Sequence, residues 1–192
     1  MIHIRVGPGA RAAIFVEGVS DRRALEALAR RRDRDLSAEG ISVVPMGGAH
    51  GIGRFLGIYG PRGLDLHLGG LCDAGEELHV GHALEVEGLT AGSSRADMER
   101  QGFHVCEPDL EAELIRALGV ESVQRVVAAE GDLGAFRTLQ TQPAWRGRDA
   151  GEQLRRFMGS GASRKIRYAG LLVDALDLDR VPRPLDRVLA GI

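Results

Sequence analysis

The first strongly apolar run of the chain is followed at once by a carboxylate and then by a helical pattern. Residues 12–16 are uncharged and include β-branched and aromatic side chains, as is typical of a strand buried on both faces of a parallel sheet. Glu17 and Gly18 come next, and Ser20 or Asp21 is predicted to cap the following helix. Apolar residues at helical spacing indicate that helix: Ala24, Leu25, Leu28 and Ala29. The pattern places Glu17 at the carboxyl edge of a sheet, where open α/β folds bind ligands.

A second apolar stretch also ends on a carboxylate. Residues 64–71 run into Cys72 and Asp73, which predicts another strand. If the two strands are parallel neighbours, Glu17 and Asp73 lie side by side at the sheet edge. Two such carboxylates repel and raise each other's pKa unless a cation lies between them. Since carboxylate oxygens suit Mg²⁺ or Mn²⁺ rather than zinc, we predict that one or two of these ions bind here.

The remaining pattern divides the chain into two parts. Strands are predicted near residues 12–16, 41–45, 64–72 and 102–106, with helices near 20–32, 52–59, 76–86 and 94–101. Only helices are predicted afterwards, near residues 109–118, 121–129, 132–140, 150–158, 164–176 and 184–190. We therefore predict an α/β core over residues 1–107 and a helical C-terminal part over residues 108–192 packed on it.

Several of these segments together resemble a known domain. The strand, Glu17, Gly18 and helix of the first element, followed by a strand that ends in the acidic turn with Asp73, resemble a TOPRIM domain. Within that group, the OLD-family nucleases are similar to the stretch 16–21, the strand and glycine turn 43–48, the acidic stretch 109–114 and the helix opened by Lys165. The resemblance implies a TOPRIM-like, Rossmann-like fold with a mainly parallel four-stranded sheet flanked by helices and a helical C-terminal extension. It also implies Mg²⁺-dependent phosphodiester chemistry on nucleic acid, with DNA as the expected form.

The chain departs from the family pattern at two places. TOPRIM domains usually carry Asp-x-Asp after the third strand, but Gly75 occupies the second Asp position here, with Glu76 beside it. Either Glu76 reaches the same metal ion, or the second ion is bound weakly or not at all. Ala49 and His50 stand where a lysine often follows the glycine turn.

Further carboxylates are candidate metal ligands. Asp21 lies one turn into the first helix, on the same side as Glu17, while Asp109 and Glu111 lie in the first turn after the fourth strand. Asp109 and Glu111 have two interpretations. Carboxylates at a helix start interact favourably with the helix dipole, which alone explains their presence. The resemblance implies instead that they contribute to a second metal site.

Lys165 is the only lysine among the 25 lysine and arginine residues. Its compact ammonium can approach a phosphoryl oxygen as a point charge, so we predict a catalytic role for it beside Glu17. A P-loop needs Gly-Lys followed by Ser or Thr, and the neighbours of Lys165 are Arg164 and Ile166. The OLD family usually joins an ATPase to its TOPRIM domain, so this domain is expected either to act alone or to work with an ATPase that is a separate protein.

Nucleic-acid contacts are predicted at His50 in the glycine turn and at Arg164 and Arg167 beside Lys165. The net charge of −2 is low for a protein that relies on phosphate contacts, although arginines cluster locally, Arg155 and Arg156 among them.

Three functions remain open at this level. The prediction is an OLD-like endonuclease or nucleotidyl hydrolase; the alternatives are a catalytically weakened metal- or nucleic-acid-binding subunit that regulates an ATPase, and a nucleotidyl transferase. No apolar run approaches the ~20 residues that span a bilayer, and no signal segment opens the chain, so we expect a cytoplasmic protein with no membrane partner. A homo-oligomer is compatible with the sequence.

Overall fold

The computed structural model describes residue 6 and residues 9–192, and its centre is a parallel sheet of four strands. The strands are β1 (Ala12–Val16), β2 (Ile41–Pro45), β3 (His67–Asp73) and β4 (Phe103–Cys106), in the spatial order β2-β1-β3-β4. Every pairing between them is parallel. The predicted fold class, a four-stranded parallel sheet flanked by helices, is confirmed.

Ten α-helices are assigned within the described residues. Four belong to the predicted core: α1 (Val19–Arg31), α2 (Ile52–Tyr59), α3 (Glu77–Val86) and α4 (Arg95–Arg100). Six follow β4: α5 (Leu110–Leu118), α6 (Val120–Ala129), α7 (Leu133–Thr141), α8 (Ala150–Met158), α9 (Ala162–Ala175) and α10 (Arg183–Ala190). None of these described helices combines the length and the apolar composition needed to cross a bilayer.

Two local predictions about element starts are wrong. β3 begins at residue 67 rather than near 64, because the N–H groups of Leu64 and Leu66 donate to carbonyl oxygens at the end of α2. The cap of α1 is Gly18, not Ser20 or Asp21. Asp21 instead accepts a hydrogen bond from the Gly18 N–H, at 2.8 Å, so its carboxylate turns back towards the carboxyl end of β1.

The two faces of the sheet are covered differently. Ile14 and the other even-numbered residues of β1 pack against α1 and the helices that follow β4, whereas Phe15 packs against α2, α3 and α4. The apolar cluster around Ile14 is continuous with Phe136 and Leu154, which come from the C-terminal helices. The boundary at residue 107 stays a prediction, and residues 1–5 and 7–8 of the predicted core lie outside the described residues.

The topology places two strand ends at one edge. β1 and β3 are adjacent, with Phe15 opposite Gly70, so Glu17 and Asp73 both follow the carboxyl ends of neighbouring parallel strands. This is the edge at which open α/β sheets bind ligands.

Candidate metal centre

Glu17 is held between the two neighbouring strands. Its Oε1 accepts a hydrogen bond from the backbone N–H of Asp73, at 2.9 Å. Its backbone carbonyl accepts hydrogen bonds from the N–H groups of Gly47 and Gly48, each at 3.0 Å. Both glycines have positive φ angles, of 76° and 115°, which other residues rarely adopt. The glycine turn after β2 is therefore shaped to close over the end of β1.

Other carboxylates act on Glu17 at this edge. Burial raises the pKa of Glu17, and the negative charges of Asp21 and Glu76 raise it further, against the hydrogen bond from Asp73. Asp21 is buried, and this burial also raises the pKa of its carboxyl group. The structure thus brings two further predicted metal ligands, Asp21 and Glu76, into electrostatic contact with Glu17.

Among these carboxyl groups, that of Asp73 has the most strongly raised pKa. Burial and then the charges of neighbouring carboxylates raise its pKa to about 7. Those neighbours are Glu17, Asp21, Asp109 and Glu111. Negative charge concentrated in this way is stabilised by a cation, because a nearby positive charge favours the ionised carboxylates.

Asp109 and Glu111 enter the same region from the start of α5. Asp109 caps this helix by accepting a hydrogen bond from the Ala112 N–H at 2.9 Å, which supports the structural interpretation of this residue. Glu111 is buried, and burial raises its pKa. Its Oε1 has no hydrogen-bond donor among the described residues, although the Lys165 Nζ lies 3.4 Å away as an ion-pair partner.

Lys165, on α9, is the positively charged residue of that helix that interacts with this group of acids. Burial acts to lower its pKa, but Glu111, Asp21 and Asp73 outweigh that effect, so the pKa of Lys165 is raised. The ammonium therefore stays charged at neutral pH and faces the carboxylates. It is only partly exposed, since its side chain retains 38% of its accessible surface.

One known protein family matches this part of the chain. Residues 10–73 match the family described as the TOPRIM domain of overcoming lysogenization defect (OLD) protein-like proteins. The match runs from β1 to the end of β3 and includes both Glu17 and Asp73. Residues 10–73 are an OLD-like TOPRIM domain. This assignment implies a metal-dependent function related to nucleic acid. The comparison with curated proteins gave no significant match.

Solved structures extend the likeness beyond the TOPRIM domain. The C-terminal region of the Xanthomonas campestris pv. campestris OLD protein is 26% identical, with a TM-score of 0.71, over 95% of this chain and 92% of that chain. The C-terminal region of the Burkholderia pseudomallei OLD protein has a TM-score of 0.68 at 24% identity, over 94% of this chain and 96% of that chain. The second likeness concerns the fold alone. The helices after β4 are therefore part of a fold that this chain shares with the C-terminal regions of these two OLD proteins.

The predicted nucleic-acid residues lie outside the carboxylate group. His50 is exposed beside His79, with the ring centroids 5.1 Å apart. Arg164 and Arg167 both form ion pairs with Asp132, although they flank Lys165 in sequence. Of Arg164, Lys165 and Arg167, only Lys165 therefore forms an ion pair with a predicted metal ligand, Glu111.

Arg155 is a site residue that the sequence analysis did not place. Its Nε donates to the Oδ2 of Asp109 at 2.5 Å, and its charge also interacts with Glu111 and Asp73. The sequence signal was only its membership of an arginine pair on α8. Since α8 reaches α5 through helix packing, spacing along the chain could not identify this contact.

We call the carboxyl ends of β1 and β3, with Glu17 and Asp73, the TOPRIM edge. The carboxylate oxygens at this edge are chemically suited to a hard divalent cation, but they do not converge on a single point. Among the described residues, no three His, Cys, Asp or Glu side chains converge closely enough to hold a metal ion as they stand. Glu17 and Asp21 each turn a carboxylate oxygen to a backbone N–H instead. Oxygen donors, including the unbonded Oε1 of Glu111, are the kind that Mg²⁺ and Mn²⁺ prefer.

Proposed function

We propose that this protein hydrolyses phosphodiester bonds of nucleic acid, most simply DNA, as an OLD-like TOPRIM endonuclease that depends on Mg²⁺ or Mn²⁺. The observation that carries the proposal is the group of carboxylates at the ends of β1 and β3, with Lys165 facing them. The burial of Asp73 among four other carboxylates, which raises its pKa, supports the proposal, because a divalent cation would neutralise negative charge concentrated in this way.

Glu17 and Asp73 are the residues that would hold the first cation. Asp21 and Glu76 interact with Glu17 and would complete its shell, while Asp109 and Glu111 would serve a second ion. Only one oxygen of each of the Glu17 and Asp21 carboxylates accepts a hydrogen bond from a backbone N–H, so the other oxygen would be available to the ion.

The chain's own residues have separate tasks in the proposed reaction. A bound Mg²⁺ supplies the positive charge that orients the phosphate and activates water. Lys165 offsets negative charge as it develops on the phosphoryl group. As an alternative to holding the ion, Glu17, whose pKa is raised, would accept or return a proton at a sugar oxygen. The charge of Lys165 acts on Glu17, so a phosphate bound at this edge would lie near both residues.

Binding partners follow from the same proposal. His50, Arg164 and Arg167 would contact phosphates flanking the bond that is cleaved. The 192 residues contain no P-loop, so any ATP-driven step needs an ATPase outside them, and a separate ATPase chain is the proposed partner.

A second function is favoured by one departure in the site. Gly75 leaves the second acidic position empty, and no three ligands are assembled among the described residues. Both facts are compatible with a regulatory subunit that binds nucleic acid or metal and cleaves nothing. The number of bound cations distinguishes the two functions, because two ions about 4 Å apart favour hydrolysis, whereas none favours the binding subunit.

Cleavage can be tested directly. Supercoiled plasmid, linear duplex and single-stranded DNA are incubated with the protein and Mg²⁺, Mn²⁺ or a chelator, and a matching RNA is included. The proposal expects cleavage with either ion and none with the chelator. Binding of the same substrates without cleavage in either metal would support the regulatory subunit instead.

Asp73→Asn should change stability and metal binding in opposite directions. Because burial and neighbouring acids raise the pKa of Asp73, its ionised form opposes folding at neutral pH, and a neutral amide should raise the melting temperature of the metal-free protein. Its Mn²⁺ affinity should fall about tenfold or more, as when metal sites lose a supporting group. Calorimetric titration and thermal melts check both. Asp174→Asn, an exposed change on α9, is the control, and equal Mn²⁺ affinity in the Asp73 variant would remove Asp73 from the site.

Gly75→Asp should strengthen the site. A Cβ atom at Gly75 would have no neighbour within 4 Å, so the side chain fits without rearrangement. It restores the second acidic position, and we expect Mn²⁺ affinity to rise by about threefold to tenfold because affinity for hard cations follows the number of charged ligands. Gly75→Asn has a similar size without the charge and should gain little. A gain in both variants, or in neither, would contradict a role for this position.

A further inference from the structure

A cleft beside the carboxylate group has an unusual lining. It has a volume of about 410 Å³ and reaches Asp109, Glu111 and Lys165 of the proposed site. Trp145, Arg148 and Arg156 line the same cleft. A ligand that occupies it would therefore contact an aromatic ring and arginines on one side and adjoin the proposed cleavage site on the other.

Two arginine side chains lie near the ring of Trp145. The guanidinium carbon of Arg148 lies 5.0 Å from its ring centroid, and that of Arg156 lies 6.0 Å away. The indole is partly buried against the apolar cluster formed with the C-terminal helices, so it is anchored and yet reaches the cleft. An anchored aromatic ring flanked by arginines is the arrangement on which unpaired bases stack in single-strand binding proteins.

The charges in the cleft are only partly neutralised. Arg155 pairs with Asp109 and Lys165 pairs with Glu111. In residues 9–192, no carboxylate forms an ion pair with Arg148 or Arg156, and the one other acid in the lining is Glu152. Two positive charges beside the indole are thus available for phosphates, in a protein whose net charge is −2.

We propose that this cleft binds a single-stranded segment of nucleic acid, with one base stacked on Trp145 and the adjacent phosphates on Arg148 and Arg156. The inference rests on the proposed function and specifies its substrate as unpaired nucleic acid next to the bond that is cleaved. The bases of a duplex are already stacked on one another, so only an unpaired or unwound segment can place a base on the indole. The strand then continues past Lys165 to the carboxylates of the TOPRIM edge.

The structure offers a specific probe, because Trp145 is the only tryptophan. Its fluorescence is followed in chelator, where no cleavage occurs, during titration with a short oligothymidylate. The expected result is saturable quenching. An abasic oligomer of the same length and charge, and a blunt duplex, should quench much less. Equal quenching by the abasic oligomer would overturn base stacking, and no quenching by any of the three would overturn the cleft as a binding site.

Two double variants test whether binding depends on Arg148 and Arg156 in particular or only on the total positive charge of the protein. Arg148→Gln with Arg156→Gln should weaken oligothymidylate binding about tenfold, measured by anisotropy of a labelled strand. Arg125→Gln with Arg137→Gln removes the same charge from exposed positions on α6 and α7 and should change affinity little. Trp145→Phe should retain more affinity than Trp145→Leu. Equal weakening by the two double variants would overturn the proposal.

The cleavage assay distinguishes failure of the cleft proposal from failure of the proposed nuclease function. In the cleavage assay, Arg148→Gln with Arg156→Gln should raise KM for single-stranded DNA and leave kcat nearly unchanged. If this double variant cleaved as wild type does, with an unchanged KM, the cleft proposal would be overturned and the proposed nuclease function would stand. Quenching without cleavage under any metal would keep the cleft and overturn hydrolysis.

Discussion

Glu17→Gln is expected to lower the rate of metal-dependent cleavage by about 10³-fold and to leave the fold intact. The amide oxygen can still accept the hydrogen bond that the Asp73 N–H donates to Glu17 at 2.9 Å, so the contact between β1 and β3 is kept. What the variant loses is the negative charge for the cation and the group that carries a proton. Cleavage is measured at saturating Mn²⁺, with circular dichroism and a thermal melt for the fold.

A matched control separates this effect from a general loss of charge. Glu26→Gln is the same substitution on α1, at a residue whose carboxylate pairs with Arg22 at 2.9 Å rather than with the TOPRIM edge. It should retain cleavage within about twofold, since exposed helix ion pairs contribute little. Comparable activity in wild type and the Glu17 variant would show that another group does the chemistry attributed to Glu17.

The parts of the site that lie at strand ends could be predicted from the sequence. An uncharged run of five residues followed by Glu17 and a helical pattern identifies β1, its edge and its ligand position together. The same reasoning applies to Asp73. That reasoning was conditional on the two strands being parallel neighbours, and the parallel pairing of β1 with β3 meets the condition.

Contacts made by the C-terminal helices could not be predicted in the same way. The ion pair between Arg155 and Asp109 depends on how α8 packs on α5, and no spacing along the chain encodes that packing. Lys165 was selected because it is the only lysine, yet its nearest acid, Glu111, follows from the packing of α9. Its neighbours Arg164 and Arg167 have the same sequence signal and pair with Asp132 instead.

The hydrogen bonds of the carboxylates were also beyond sequence reasoning. Repulsion between Glu17 and Asp73 was expected, but the backbone N–H groups that accommodate Glu17 and Asp21 were not. These bonds stabilise the metal-free edge by satisfying one oxygen of each carboxylate, and they leave the other oxygen for a cation. The orientation of both ligands therefore depends on the geometry of the turns after β1 and β3.

Lys165→Met should reduce cleavage by about 10²-fold or more, and Lys165→Arg by about tenfold, the equivalent of ~1.4 kcal/mol of barrier. Methionine keeps the length of the side chain and removes the charge that offsets the phosphoryl group. Arginine keeps the charge but replaces a compact ammonium with a broad planar fork, which does not fit the 3.4 Å approach to Glu111 in the same way. Single-turnover rates at saturating Mn²⁺ measure both effects.

The structure raises a competing explanation, because Lys165 is also the counter-ion of a buried acid. If that were its whole role, Lys165→Arg would be fully active and Lys165→Met would lose stability along with activity, since Glu111 would be left buried and uncompensated. Combining Lys165→Met with Glu111→Gln would then recover the melting temperature and give the same rate as Glu111→Gln alone. A catalytic lysine predicts a different pattern: the double variant regains stability but cleaves more slowly than Glu111→Gln alone, and the arginine variant binds Mn²⁺ as wild type does while cleaving more slowly. Melting temperature, Mn²⁺ affinity and rate, measured on wild type and these four variants, therefore separate the ammonium that neutralises Glu111 from the ammonium that acts on the phosphate.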